Sequence, residues 1–598
     1  MYLFDESDVF FRDPGGTVEV PGTLALQIKL QRGEAWNVRL CIYPDGGEVR
    51  DIAMNYDHAL GNYDVYRAEL YFDAPGLFWY YFIVESSNNI TYTIPEYAGG
   101  AFQITVYQPD ANYPEWIKGG VIYHIFVDRF RNGGKLRLGP GAVHRADWGG
   151  CPYFLPDERG IVRNNDFFGG DLYGVIEKLP YLEELGVNCI YLSPVFEATS
   201  NHKYDTGDYM KVDVAFGGDE ALEELCKKAG ERGIHIILDG VFNHVGSDSV
   251  YFNRYNRYDS IGAYQDNKSP YRSWFTFNDD GTYEAWWDIE LLPTVRKDNE
   301  QFKDFLCGED GVIAHWMRKG VSGWRLDVVD ELPDAILDPL CAAMRRERSD
   351  VFITGEVWED ASYKIAYSVR RRYFLGGQLH SVTNYPLKNA IIACIKDNNV
   401  NVLANAMAAL CKNYPKNVLD SLMNILGTHD TMRILTVLSN ANYPETKLAM
   451  SHYRLSDDEA ALAKKRLRLA AALQFTLPGV PCVYYGDEAG MQGGIDPFNR
   501  ICYPWGNEDN DLVGWYKKLS RIRREHPCFK DGIYTLIEAR TGLYAFTRGE
   551  GEHRVLTAIN LSNHDKIITA SGFGFDLLQG EKTDVLNVKA CDVGIFSC

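Results

Sequence analysis

Ile234-His-Ile-Ile-Leu-Asp-Gly-Val-Phe-Asn-His244 sets the fold class. An apolar run of strand length, Ile234–Leu238, ends abruptly in Asp239, Asn243 and His244. The same pattern recurs further along. Gly323-Trp-Arg-Leu-Asp327, Val351-Phe-Ile-Thr-Gly-Glu356 and Ile425-Leu-Gly-Thr-His-Asp430 are apolar runs with polar, acidic ends, and Val121–Val127, Val187–Leu192, Ser381–Tyr385 and Val480–Tyr485 bring the candidate strands to eight. Short apolar runs separated by longer amphipathic stretches are the signature of repeated βα units and a parallel sheet. Eight such strands close into a barrel, so the expected fold is α/β, a (β/α)8 TIM barrel with its reactive groups at the C-terminal strand ends.

The chain is longer than one barrel needs. At 598 residues it exceeds the size at which single cores stop growing, about 250–300 residues. Ahead of the barrel, Leu24, Leu26, Ile28 and Leu30 alternate with Ala25, Gln27 and Lys29, and Val38, Leu40 and Ile42 alternate again. Period two with punctuating turn residues reads as an N-terminal β-sandwich over residues 1–112. Residues 113–527 then hold the barrel. Within it, Val245–Asn299 lacks a helical period and is rich in Tyr, Trp, Asn and Asp, an insertion after strand three of the kind that is usually functional. Past Cys528 the runs Leu543–Thr547 and Val555–Leu561 return to β character, giving a C-terminal β-sandwich over 528–598.

Charge narrows the partners. A net charge of −21 repels phosphate backbones and anionic lipid, so neither nucleic acid nor a membrane is expected and a neutral substrate fits. No apolar run reaches the length of about 18 residues that a membrane span needs. Met1 to Gly16 carries Asp5, Glu6, Asp8 and Asp13 without the basic start and apolar stretch of a secretory signal. Thirteen scattered cysteines, with no C-x-x-C pair, suggest reduced, mostly buried thiols. The expected compartment is the cytoplasm.

Arg325 and Asp327 are two apart on a strand and share a face, where the guanidinium favours an ionised carboxylate. Glu356 follows one βα unit later, on the adjacent strand. With Asp327 and Asp430 as neighbours its pKa is expected to rise, as a general acid requires. Two carboxylates with opposed perturbations are the chemistry of glycoside hydrolysis.

The motifs Asp239–His244, Gly323–Asp327, Gly355–Val357 and Gly427–Asp430 resemble the four signature regions of the α-amylase family, glycoside hydrolase family thirteen. Within it the chain is similar to the neopullulanase, cyclomaltodextrinase and maltogenic amylase group, in which the insertion at 245–299 is domain B. The resemblance implies a retaining hydrolase of α-1,4-glucosidic bonds in starch, maltooligosaccharides and pullulan, with Asp327 as nucleophile, Glu356 as acid/base and Asp430 stabilising the transition state. Arg325 would orient the nucleophile, and His244 and His429 would bind hydroxyls. Asn201-His-Lys-Tyr-Asp205 resembles the segment whose Tyr204 stacks on the reacting glucose, with His202 as a hydroxyl ligand. Asp496-Pro-Phe-Asn-Arg500 resembles the segment whose Asp496 and Arg500 contact the next sugar outward. Tyr283, Trp286, Trp287 and Trp358 are candidates for more distant subsites.

No cofactor is required by this chemistry. A structural calcium stays open, with Asn132, Asp171 and Asn243 as oxygen donors, because Asp330 and Glu331 replace the Lys-His of animal and fungal amylases. The resemblance also implies a homodimer through the N-terminal domain. A cyclomaltodextrinase or an α-glucan transglycosylase are the alternatives within the family, and a non-catalytic glycan-binding relative is the alternative outside catalysis.

Overall fold

The computed structural model describes residues 2–96, 99–158, 160–540 and 542–598. The chain forms two compact units, one of residues 1–113, 359–380 and 404–419, the other of 114–358, 381–403 and 420–598.

In the second unit the eight expected strands are present. They are β1 (Ile122–Ile125), β2 (Cys189–Leu192), β3 (His235–Gly240), β4 (Gly323–Leu326), β5 (Phe352–Gly355), β6 (Ser381–Val382), β7 (Met423–Ile425) and β8 (Val480–Tyr484). All pair in parallel in the order β6-β5-β4-β3-β2-β1-β8-β7. A parallel bridge from Thr383 to Met423 closes the ring between β6 and β7. Inside the ring Ile122, Cys189, Tyr191, Ile237, Phe352, Met423 and Cys482 form one buried cluster. Strand parity then sorts β4: Arg325 and Asp327 share one face, while Trp324 turns the other way, against Phe242 at 5.7 Å.

Two strand ends differ from expectation. β7 stops at Ile425, so Thr428, His429 and Asp430 stand on the following loop. The crossover from β5 to β6 carries no helix among the described residues. Tyr363, Ile365, Tyr367 and Val369 alternate there, and the chain makes a hairpin, Ile365–Ala366 against Val369–Arg370. Its two turn residues, Tyr367 and Ser368, both have positive φ, 52° and 63°, the geometry that matches strand twist in a two-residue turn. This segment belongs to the first unit. Ser362 accepts from Gln103 at 3.1 Å, Arg370 reaches Asp45 at 2.9 Å, and Lys412 of the third segment reaches Glu6 at 2.8 Å. A consecutive division of the chain at 112/113 therefore assigns 359–380 and 404–419 to the wrong body.

The N-terminal part of the first unit is two mainly antiparallel sheets, with one parallel pair between Val18–Glu19 and Phe102–Tyr107, enclosing Leu24, Leu26, Ile28, Leu40, Phe82 and Ile104. At the other end of the chain, Tyr534–Arg540 begins a six-stranded antiparallel sheet packed around Ala545, Leu556, Ile568 and Phe596. No cysteine is in a disulfide among the described residues.

Gly323 stands opposite Phe352 at a tight contact between β4 and β5. A Cβ there would lie 2.2 Å from the Phe352 carbonyl oxygen and 3.0 Å from Ile237 Cγ2. Gly323→Ala is expected to cost about 1–3 kcal/mol, the range for overpacking, measured as a shift in the denaturation midpoint. An unchanged midpoint would show that the two strands can separate freely.

Candidate active site

Four strand ends deliver the polar groups. Arg325 reaches up from β4 and contacts three carboxylates at once: Asp239 at 2.9 Å, Asp327 at 2.7 Å and Glu356 at 2.9 Å. Asp327 and Glu356 are 5% and 6% exposed, so each needs that partner. Register fixes their closeness, because Leu326 stands opposite Gly355 and the Glu356 amide donates to the Leu326 carbonyl at 3.0 Å. Glu356 accepts two more hydrogen bonds, from the Val328 amide at 3.0 Å and from Trp358 Nε1 at 3.0 Å. Val328 adopts φ 35° and ψ 53° to make this contact. A β-branched residue in the left-handed region is strained, and such strain gathers at functional sites.

The network continues through Tyr204. Its hydroxyl donates to Asp239 at 2.8 Å and lies 2.6 Å from His429 Nε2. Its ring runs parallel to that imidazole, 10° apart at 5.1 Å. His429 lies 3.1 Å from Asp430, Arg500 lies 3.4 Å from Asp430, and Arg500 also pairs with Asp496 at 3.0 Å. His202 Nδ1 accepts from the Tyr204 amide at 3.1 Å. On the other side His244 contacts the Tyr204 carbonyl at 3.1 Å and stacks on Trp286 at 4.9 Å, and Trp286 stacks on Trp287 at 5.1 Å. Thus the three candidate catalytic carboxylates and ten of the eleven candidate substrate-binding residues, all but Tyr283, form one connected cluster.

Burial sets the charges. It pushes the Asp327 carboxyl well above the ordinary range; Arg325 opposes the rise, while Glu356 and Asp239 add to it. The expectation that the guanidinium alone keeps Asp327 low therefore fails, because desolvation outweighs it. The protein around Asp430, whose side chain keeps 33% exposure, pushes that carboxyl up to about 7 against Arg500. Burial lowers His202 and His244 to about 4, and His429 well below its usual value. The three imidazoles are neutral near pH 7. His429 Nδ1 is buried without a partner among the described residues.

Residues 124–512 match the family described as alpha amylase, catalytic domain. The chain belongs to the alpha-amylase family. An amylopullulanase of Thermoanaerobacterium saccharolyticum is 35% identical across 98% of this chain, and the chain spans 50% of that protein's length. A cyclomaltodextrinase of Bacillus sp is 31% identical over 76% of this chain and 74% of its own. A solved structure titled cyclomaltodextrinase superposes with a TM-score of 0.68 at 26% identity, covering 98% of each chain.

Trp358, expected at a distant subsite, instead touches Glu356 itself and stacks on Tyr385 at 3.9 Å. Tyr283 packs on Phe252 at 4.6 Å, with its hydroxyl on the Glu290 carbonyl, so it is core of the insertion. Two members of the network lacked a sequence signal. Tyr191 donates to Asp239 at 2.5 Å, and His124 stacks on Tyr191 at 4.2 Å; both lie within apolar strands, where they read as core. For calcium, Asp171 is the N-cap of helix Leu172–Glu184, through Oδ1 on the Gly174 amide at 2.7 Å, and its Oδ2 is buried without a partner. Asn132 lies in the same loop, with Oδ1 on the Gly134 amide at 2.7 Å. Asn243 follows β3, its amide against His244 at 3.2 Å. Among the described residues no three His, Cys, Asp or Glu side chains group as a metal site.

Because Asp327 has a raised folded pKa, its contribution to stability is fully present below its unfolded value of about 3.9 and is lost as pH rises through the folded value. Asp327→Asn removes that titration. The melting temperature of the variant minus that of wild type is expected to increase from pH 5 to pH 8. A flat or falling difference would mean that the Arg325 pairing outweighs burial.

Proposed function

We propose that the chain is a retaining glycoside hydrolase that cleaves α-1,4-glucosidic bonds in α-glucans such as starch, maltooligosaccharides and pullulan. The observation that carries this reading is one guanidinium shared by Asp327 and Glu356 at the ends of adjacent strands. Neighbouring strands lie about 4.8 Å apart, which suits the roughly 5–5.5 Å carboxyl separation of retaining enzymes better than the wider gap that admits an inverting water.

In the proposed reaction Asp327 attacks the anomeric carbon while Glu356 gives its proton to the departing oxygen. A β-linked glycosyl ester of Asp327 forms and the aglycone leaves. Water then gives its proton to Glu356 and displaces Asp327, restoring both residues. Asp430 and the neutral His244 and His429 hold hydroxyls of the reacting glucose, and none of the imidazoles adds positive charge. Asp496 and Arg500 take the next sugar outward. The chemistry needs no cofactor; Asn132 and Asp171 would hold a calcium whose contribution is to stiffen the first loop.

Transfer to a sugar acceptor, or a preference for cyclic dextrins, is the second reading. It is supported by the relatives named cyclomaltodextrinase and by the Trp286–Trp287 wall, where Trp286 Nε1 also reaches Glu331 at 3.4 Å. A product profile on starch, pullulan and cyclodextrins separates the two. A homodimer is supported by the exposed Trp36, Tyr56 and Tyr71 of the first unit, and light scattering that finds only monomer removes it. Cytoplasmic residence is supported by the free thiols and by the relative named intracellular maltogenic amylase. No helix among the described residues is long and apolar enough to cross a membrane.

The first product is expected to be the α-anomer, read by proton NMR before mutarotation; an initial β-anomer would overturn the mechanism. Asp327→Asn is expected to lose on the order of 10⁴-fold in rate, and substantial residual turnover would place the nucleophile elsewhere. Glu356→Gln should depress poor leaving groups far more than activated aryl glycosides. Equal losses on both would remove Glu356 from the acid role.

A further inference from the structure

Three buried rings meet where β1, β2 and β8 run side by side. His124 of β1 stands opposite Tyr191 of β2 and Tyr484 of β8, and its imidazole lies 4.2 Å from the first ring and 5.1 Å from the second. The same imidazole meets His429 nearly at right angles, 85° at 5.3 Å. We propose that His124 is a positioning residue: its ring sets the angle of the His429 imidazole and so places it on a hydroxyl of the reacting glucose. This rests on the function proposed above, in which His429 makes that contact.

The His429 ring is held chiefly by packing. Asn499 and Arg500 fix its backbone carbonyl, but the side-chain bonds can still turn. At the ring itself Nε2 lies 2.6 Å from the Tyr204 hydroxyl and 3.1 Å from Asp430, while Nδ1 has no partner among the described residues. Polar contacts therefore hold one edge only. Two neighbours set the angle, Tyr204 parallel at 10° and His124 across it at 85°. Both centroid separations fall within the about 4.5–7 Å of attractive aromatic pairs. A parallel neighbour alone lets a ring slide in its own plane, and a perpendicular one stops that motion.

His124 is itself fixed. Its Nε2 lies 2.9 Å from Ser193 Oγ, and the Ser193 amide donates back to the Ile125 carbonyl at 3.0 Å. Ser193 is its one side-chain hydrogen-bond partner among the described residues, so His124 acts through a neighbour and not on the substrate. Burial, helped by Arg325, Arg433 and Arg500, holds its pKa well below the usual imidazole value. The neutral ring gives shape without charge, and in a close-packed interior its removal leaves a space into which His429 can turn.

A double-mutant cycle tests the coupling. His124→Ala, with His124→Leu in its place should the first not fold, is combined with His429→Ala, and each protein is checked by its melting temperature. Replacing His124 in the wild type is expected to lower kcat/KM on maltotriose about fivefold to tenfold, the loss of one hydrogen bond to a neutral group. In the His429→Ala background the same replacement should cost less than about twofold. A loss of equal size in both backgrounds overturns the proposal, because a merely structural ring, or one acting through Tyr191, is additive. No loss in the wild type overturns it as well. Calorimetric binding of maltotriose to the same four proteins is the second readout and needs no turnover. Coupled losses in binding, without any cleavage by wild type, uphold the positioning role and overturn the hydrolase reading alone. Additive losses with normal cleavage by wild type overturn the positioning role alone. Neither binding nor cleavage by wild type overturns both.

Discussion

Three carboxylates, Asp239, Asp327 and Glu356, are buried within reach of a single guanidinium, and burying a charge without a partner is among the most costly things a fold can do. Arg325 is therefore the group around which the barrel mouth is arranged. Its planar fork serves several acceptors simultaneously, which a lysine ammonium cannot reproduce. Two tyrosine hydroxyls, from Tyr191 and Tyr204, complete the coordination of Asp239. Desolvation still exceeds what Arg325 supplies, and the raised Asp327 is the residue of that imbalance. Burial therefore favours the protonated form of Asp327, and Arg325 offsets part of the cost of holding it ionised.

Everything below this cluster serves its register. Gly323, Arg325 and Asp327 alternate on one side of β4, and the bare glycine lets β5 come close enough for Glu356 to stand beside Asp327. A slip of one residue would turn Arg325 outward and Trp324 inward. Trp324, packed on Phe196 and Phe242, is the anchor against that slip. Above the strand end, Val328 takes its strained conformation and gives its amide to Glu356. Rigid strand, glycine contact and strained turn are thus successive solutions to one problem, holding acidic groups together out of water.

The elements that were legible in the sequence are the ones this problem fixes. Short apolar runs marked all eight strands, four of them by polar ends, and the connected cluster contains the candidate catalytic residues and every candidate substrate-binding residue except Tyr283. What was not legible depends on contacts distant in sequence. Tyr191 and His124 look like core because they lie within apolar runs, and only the ring of strands brings Tyr191 to Asp239 and His124 to Tyr191. Thr428-His429-Asp430 reads as strand, yet β7 ends earlier, and the segment is held from outside by Asn499 and Arg500, whose side chains donate to the His429 carbonyl at 2.6 and 2.9 Å. Segment 359–380 has period two, a pattern compatible with either body, and its ion pair to Asp45 settles the matter. Trp358 reads as a distant platform because two residues of spacing says nothing about a ring that folds back on Glu356.

Constraint is distributed unevenly between chemistry and specificity. The carboxylates sit on strands whose register is fixed by the packing beneath them. The acceptor wall is built differently. Trp286 and Trp287 stand on a 3-10 turn in which Trp287 has φ 51° and is 75% exposed, tied to the barrel by the His244 stack and the long 3.4 Å contact with Glu331. Such a wall can change its shape without disturbing Arg325 or the acids it holds. In the proposed reaction water and a sugar hydroxyl would compete for the same attack on the glycosyl ester, beside that wall. The mechanism is therefore written in β4 and β5, whereas the product is written in the loops that face them.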